Sequence, residues 1–137
     1  MLWHMLAGLR KWWRWRGSTG GRGERAAAAH LKRTGYRILA RNLRTRLGEI
    51  DLLVQDTKRG HIVVVEVKAG ESDDRPPELH VNPAKQRKLS ALAAQLVRRY
   101  RLQAHTVRFD VVGVVLPAGS RKPSRVTHHE NAFRSTI

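Results

Sequence analysis

A chain of 137 residues suffices for one domain and is short for two, and 41% apolar residues supply a real core, which excludes wholesale disorder. Its 27 Lys and Arg against 11 Asp and Glu leave a formal charge of +16, a surplus that attracts polyanions; nucleic acid is the commonest of these, although a membrane surface or ribosomal RNA would satisfy the same charge. The absence of cysteine excludes disulfides and thiolate zinc sites and fits a reducing, cytoplasmic location, and no apolar run approaches the roughly 20 residues a bilayer span requires.

Residues 1–19 read as a basic, tryptophan-rich extension. Trp3, Trp12, Trp13 and Trp15 are interleaved with Arg10, Lys11, Arg14 and Arg16, and the segment runs into the flexible stretch Gly17-Ser18-Thr19-Gly20-Gly21. The cations interrupt any apolar stretch, so a signal peptide is not expected. Trp beside Arg suits stacking on bases or contact of residues 1–16 with a membrane surface. A poorly ordered extension is the favoured reading.

The domain is expected over residues 20–116. A first helix is predicted from about Arg22 to Arg33, with Ala27, Ala28 and Leu31 as its apolar stripe and Gly35 as its stop signal. Glu24 lies three and four residues before that stripe and shares its inward face, where a carboxylate is unexpected; an acid in a first turn also favours the helix dipole. Three strands follow, at about Arg37–Leu43, Gly48–Gln55 and His61–Lys68, the last two joined by the polar loop Asp56–Gly60. After a loop over Ala69–Val81, Asn82 caps and Pro83 opens a second helix, whose Leu89, Leu92, Ala93, Leu96, Val97 and Tyr100 fall on one side. A last strand covers about Thr106–Leu116, and Pro117–Ile137 reads as a basic tail. The resulting order is α-β-β-β-α-β, an α/β class.

Chemistry concentrates in the central strands. Alternation makes Glu49 and Asp51 project together, and Glu66 with Lys68. The run Ile62-Val63-Val64-Val65-Glu66-Val67-Lys68 reads as a buried strand ending in an acid and a base, and burying such charges needs compensation. A structural ion pair, or charges emerging into solvent, would satisfy this. So would a metal site in which Asp51 and Glu66 on adjacent strands bind a divalent cation beside Lys68. Mg²⁺ prefers oxygen ligands, activates a bound water and polarises a phosphoryl oxygen, while an ammonium stabilises the developing charge.

The stretches G-G-R-G-E-R-A-A-A, R-N-L-R-T-R-L-G-E-I-D-L-L and V-V-V-E-V-K between Gly20 and Lys68, followed by Lys85 and R-F-D-V-V at Arg108–Val112, resemble the YraN-like family of uncharacterised bacterial proteins over roughly residues 20–115. That family belongs to the PD-(D/E)XK, restriction-endonuclease-like superfamily and is distantly similar to Holliday junction resolvases. The resemblance implies a single restriction-endonuclease-like domain with a mixed central sheet flanked by helices, and a Mg²⁺- or Mn²⁺-dependent endonuclease acting on DNA, including branched DNA. It implies Asp51, Glu66 and Lys68 as catalytic residues, and a metal held by Asp51, Glu66, the Val67 carbonyl and Glu24. It places Glu49 in the family signature, gives Asp110 an anchoring role through an arginine, and suggests a homodimer. Lys85, Arg87 and Lys88 on the second helix, with Arg44 and Arg46 before the G-E-I-D strand, are expected to meet phosphates.

Other signals are weaker. His128-His129 falls in the expected tail, where a doublet is ordinarily solvated. Gly17–Gly23 precedes a helix but lacks the strand and the lysine-hydroxyl pair of an ATPase loop. No nucleophile elbow is present. Two competing functions remain: a non-catalytic nucleic-acid-binding module on the same fold, and a peripheral membrane protein anchored by its N-terminal segment.

Overall fold

A computed structural model describes residues 21–137. The expectations for residues 1–19 fall outside the described residues. The elements are α1 (Gly21–Arg33), β1 (Tyr36–Thr45), β2 (Gly48–Asp56), β3 (Ile62–Gly70), α2 (Pro83–Tyr100), β4 (Val107–Val115) and β5 (Arg125–Phe133). The strands form one sheet in sequence order, antiparallel at β1–β2, β2–β3 and β4–β5 and parallel at β3–β4, where α2 supplies the crossover. The class is α/β with a mixed sheet, as expected.

Local chemistry explains the element ends. Asn82 sits in extended backbone and its side chain accepts the Lys85 N–H at 2.9 Å, while Pro83, which has no N–H to leave unpaired, opens α2. At the other end Arg101 takes a left-handed φ of 54°, and the next residue, Leu102, donates its N–H to Val97 O at 2.9 Å before burying its side chain.

Each helix covers one face of the sheet. Leu89, Leu92, Ala93 and Leu96 of α2 pack on Ile50, Leu53, Ile62, Val64, Phe109 and Val111. Ala27, Ala28 and Leu31 of α1 pack on Leu52, Val54, Val63, Val65, Val112 and Val114 from the other side. Both faces of β3 and β4 are therefore buried, which is why these strands read as unbroken apolar runs. A fully buried Leu or Val contributes about 1.5–3 kcal/mol, so the two layers together supply most of the driving force.

The expected basic tail from Pro117 is corrected by the structure: Arg125–Phe133 is an edge strand. Its outer positions are polar because one side of an edge strand faces water, and this hides it from a reading by apolar pattern. Phe133 is buried and stacks on Phe109 with ring centroids 4.8 Å apart. The order is thus α-β-β-β-α-β-β. The His128-His129 doublet is corrected with it: His128 is half-buried with Nε2 2.7 Å from Asp110 Oδ2, and only His129 is exposed.

Candidate metal centre between two parting strands

Two irregularities in the sheet make room for the site. The β2–β3 ladder runs from Gln55↔Ile62 to Leu52↔Val65 and stops, one step short of pairing Asp51 with Glu66. On the other side of β2, Arg41↔Leu52 and Leu43↔Ile50 flank Asn42 and Asp51, and buried Asn42 takes a left-handed φ of 51°. The alternation of faces slips here: Ile50 joins the α2 core while Leu52 joins the α1 core. Asp51 therefore stands in a gap between strands, not on one face.

From that gap Asp51 meets two groups. On the α1 side, Glu24, Glu49 and Asp51 each offer an oxygen, and these atoms all lie within 4.8 Å of one another. On the β3 side, the Asp51 carboxyl hydrogen-bonds that of Glu66, and its Oδ2 accepts the Val67 N–H at 2.8 Å. Since N–H and C=O of one residue in an extended strand face the same neighbour, the Val67 carbonyl is turned toward Asp51 as well. Glu66 also pairs with Lys85 Nζ of α2 at 3.3 Å, whereas Lys68 Nζ donates to the His80 carbonyl.

The electrostatics are those of crowded, part-buried acids. Burial pushes the Asp51 carboxyl well above the usual carboxylate range, and the hydrogen bond and charge of Glu66 raise it further against the pull of the Val67 N–H and Lys85. Glu24 is pushed up to about 7 by burial and then by the Asp51 charge, with Glu49 adding and a hydrogen bond from Asn42 opposing. Its Oε2 is buried and has no hydrogen-bond partner among the described residues. An orphaned carboxylate oxygen among like charges is costly alone and is relieved by a cation. The donor set is all oxygen, which suits Mg²⁺ or Mn²⁺ and not a soft metal.

The structure brings Asp51, Glu66 and Glu24, each a ligand implied by the family resemblance, to the same gap between strands. Glu49, which the resemblance places in the family signature without a ligand role, converges with Glu24 and Asp51. The ammonium paired with Glu66 is that of Lys85 on α2, while Lys68 is bonded to the His80 carbonyl. Arg44 is engaged with Glu49 at 3.2 Å, and Arg46, Arg87 and Lys88 are exposed without an ion pair among the described residues. Asp110 does anchor structure through an arginine: buried Arg108 reaches Asp110 at 2.8 Å and Asp56 at 3.1 Å.

The profile of Uncharacterised protein family UPF0102 matches residues 23–114, the span that carries both helices and the first four strands almost entire. The chain belongs to this family. This UPF0102 chain is 46% identical over 105 residues to a UPF0102 protein of Syntrophus aciditrophicus, covering 75% of the chain and 81% of that relative. It is 39% identical over 117 residues to one of Pelobacter propionicus, covering 85% and 82%, and 39% identical over 115 residues to one of Thermodesulfovibrio yellowstonii, covering 83% and 94%. Among the described residues of the UPF0102 chain, no helix is long and apolar enough to cross a membrane.

Proposed function

We propose that this chain is a divalent-metal-dependent endonuclease that hydrolyses phosphodiester bonds of DNA, branched DNA included, on a restriction-endonuclease-like fold. The observation that carries the reading is the buried, unpartnered Glu24 Oε2 beside Asp51 and Glu49, at the one place where β2 and β3 part. An acid on the first helix, an Asp on one strand and an E-x-K triplet on the next is the arrangement expected of that superfamily. The +16 charge supports a polyanionic substrate.

Glu24, Glu49, Asp51 and Glu66, with the Val67 carbonyl, would hold the cation. Bound Mg²⁺ or Mn²⁺ supplies an activated water and a Lewis-acid contact to the phosphoryl oxygen. The chain's own residues do the rest. The Val67 N–H orients Asp51. Lys85, paired with Glu66, and Lys68, bonded to the His80 carbonyl, would supply two ammonium groups to the negative charge that grows on the phosphate. Substrate binding would draw Lys68 from the His80 carbonyl, an exchange of one hydrogen bond for a charge-assisted one.

The test incubates purified protein with supercoiled, branched and single-stranded DNA in Mg²⁺, Mn²⁺ or chelator. Metal-dependent nicking that falls about 100-fold or more in Asp51→Ala and Glu66→Ala is expected, the usual scale for removing a group that stabilises the transition state. Equal cleavage by wild type and both variants would overturn the assignment. Tight DNA binding with no calorimetric metal site would favour a non-catalytic binding module instead.

A further inference from the structure

A second feature lies on the outer side of α1. Arg22, Arg25 and Ala26 of its first turns, Leu116 just past β4, and Arg121 and Pro123 in the β4–β5 loop line an open cavity of about 380 Å³. Three of its six lining residues are arginines and none is acidic. Arg22, Arg25 and Arg121 are all exposed and make no ion pair or hydrogen bond among the described residues. The nearby Arg125, by contrast, is paired with Asp73.

The cavity adjoins the acid centre through the backbone itself. Arg25 follows Glu24, so their Cα atoms are about 3.8 Å apart, yet the helix turns Glu24 inward and Arg25 outward. The first turn of α1 also presses on the ends of β3 and β4: a Cβ at Gly23 would lie 3.0 Å from Ala69 and 3.9 Å from Leu116. The acid centre and the arginines are thus joined through the same first turns of α1.

The lining has two chemistries. Guanidinium groups match phosphate oxygens in a bidentate fork, and Leu116, Pro123 and Ala26 offer an apolar wall. Clefts that take small ligands run from about 300 Å³, so this one has room for a nucleotide-sized unit. We propose that Arg22, Arg25 and Arg121 form a phosphate subsite that grips one phosphodiester of the bound nucleic-acid strand beside the acid centre, with its sugar or base against Leu116 and Pro123. The proposal rests on nucleic acid as the partner.

The experiment measures oligonucleotide affinity as a function of salt for the full chain, for the triple variant Arg22→Ala/Arg25→Ala/Arg121→Ala, and for a charge-matched control, Lys32→Ala/Arg33→Ala/Arg37→Ala. Loss of one gripped phosphate lowers the slope of log K against log salt by about 0.9 on duplex or about 0.7 on single strands. That drop in the cavity variant, with a smaller one in the control, is the expected result. In a second arm, inorganic phosphate competes with the oligonucleotide in the wild type more effectively than in the cavity variant if the site reads the phosphate. Equal slopes in the wild type and the cavity variant, or equal losses in both variants, overturn the subsite while leaving the nuclease reading intact. A wild type that binds no nucleic acid overturns both, and is told apart by that alone.

Discussion

Glu24 is the residue whose substitution separates fold from chemistry. Its carboxyl is ordinarily half ionised near 4.5 and is raised to about 7 in the folded chain, first by burial and then by Asp51. A group with a raised folded-state value binds its proton more tightly when folded. Its ionisation therefore costs stability as pH climbs from the unfolded value through the folded one, and the penalty is complete above about 7. The side chain is partly solvated, so screening reduces the cost to on the order of 1 kcal/mol. Glu24→Gln keeps shape and the Asn42 contact while removing the charge. In chelator at pH 8 the variant is expected to melt higher than wild type, and its Mn²⁺ affinity is expected to fall about tenfold or more, as when any charged oxygen ligand is lost. Thermal unfolding and calorimetry on one sample check both. A lower melting temperature in chelator would mean that Glu24 is a structural partner and not a waiting ligand. Arg108 stands at the opposite pole. It holds buried Asp56 and Asp110 together. Arg108→Met removes the buried cation that both carboxylates share, and a loss of about 3–5 kcal/mol by denaturant titration is expected.

Between elements, that same cluster is a four-strand tie. Arg108 and Asp110 of β4 join Tyr36 of β1, Asp56 of β2, and His128 and the Asn131 N–H of β5. Burial alone would raise the Asp110 carboxyl, but the bonds from His128, Arg108 and Asn131 outweigh it and hold it below 3.8; Asp56 is held down in the same sense by Arg59, Arg108 and Lys58. Depressed carboxylates stabilise the fold above their unfolded value, and this contribution is lost as pH falls from about 4 toward the folded value. Asp110→Asn should therefore flatten the acid limb of the stability curve below pH 4 while lowering stability at pH 7. Tyr36 and Glu130 extend the tie, at 2.9 Å. Because β5 carries so much of it, the tail reading has a sharp consequence. Deleting residues 121–137 is expected to abolish cooperative unfolding, not trim a dispensable end. Phe133→Ala, which removes only the stack on Phe109, is expected to cost about 3 kcal/mol. A truncated chain that still melts cooperatively would contradict the role given to β5. The two helices and first four strands were legible because their apolar spacing is set by burial on one or two faces. β5 was not, because only its last residue and a few half-buried positions meet the core, and its other bonds go to polar partners far away in sequence. Of the acid centre, Asp51 and Glu66 were legible as paired acids on neighbouring strands. The slip of alternation at Asp51 and the reach of Lys85 across from α2 depend on where β2 and β3 stop pairing, which no local pattern encodes.

Across the whole molecule, an excess of 16 positive charges accompanies a small knot of part-buried acids, and the two make opposite demands on solution conditions. Salt screens the self-repulsion of the basic surface, so the free chain gains stability with ionic strength while any polyanion is released. A divalent cation at the acid centre responds mainly to pH, because it competes there with protons. Glu24 and Asp51 both hold protons at pH 6; by pH 8 Glu24, raised to about 7, has largely released its own, while Asp51, raised to about 8, is in the midst of releasing its own. The stabilisation that a bound ion confers is RT ln(1 + [L]/Kd), about 2.7 kcal/mol at a hundredfold excess over Kd, and Kd tightens as those protons leave. The melting-temperature gain from a fixed Mn²⁺ concentration is therefore expected to be larger at pH 8 than at pH 6, and to be largely lost in Asp51→Asn at both. Monovalent salt at matched ionic strength corrects for screening of the basic surface. A gain that is the same at both pH values would place the cation elsewhere on the chain, since no other cluster of three acids or histidines within ligand distance exists among the described residues to carry that pH dependence.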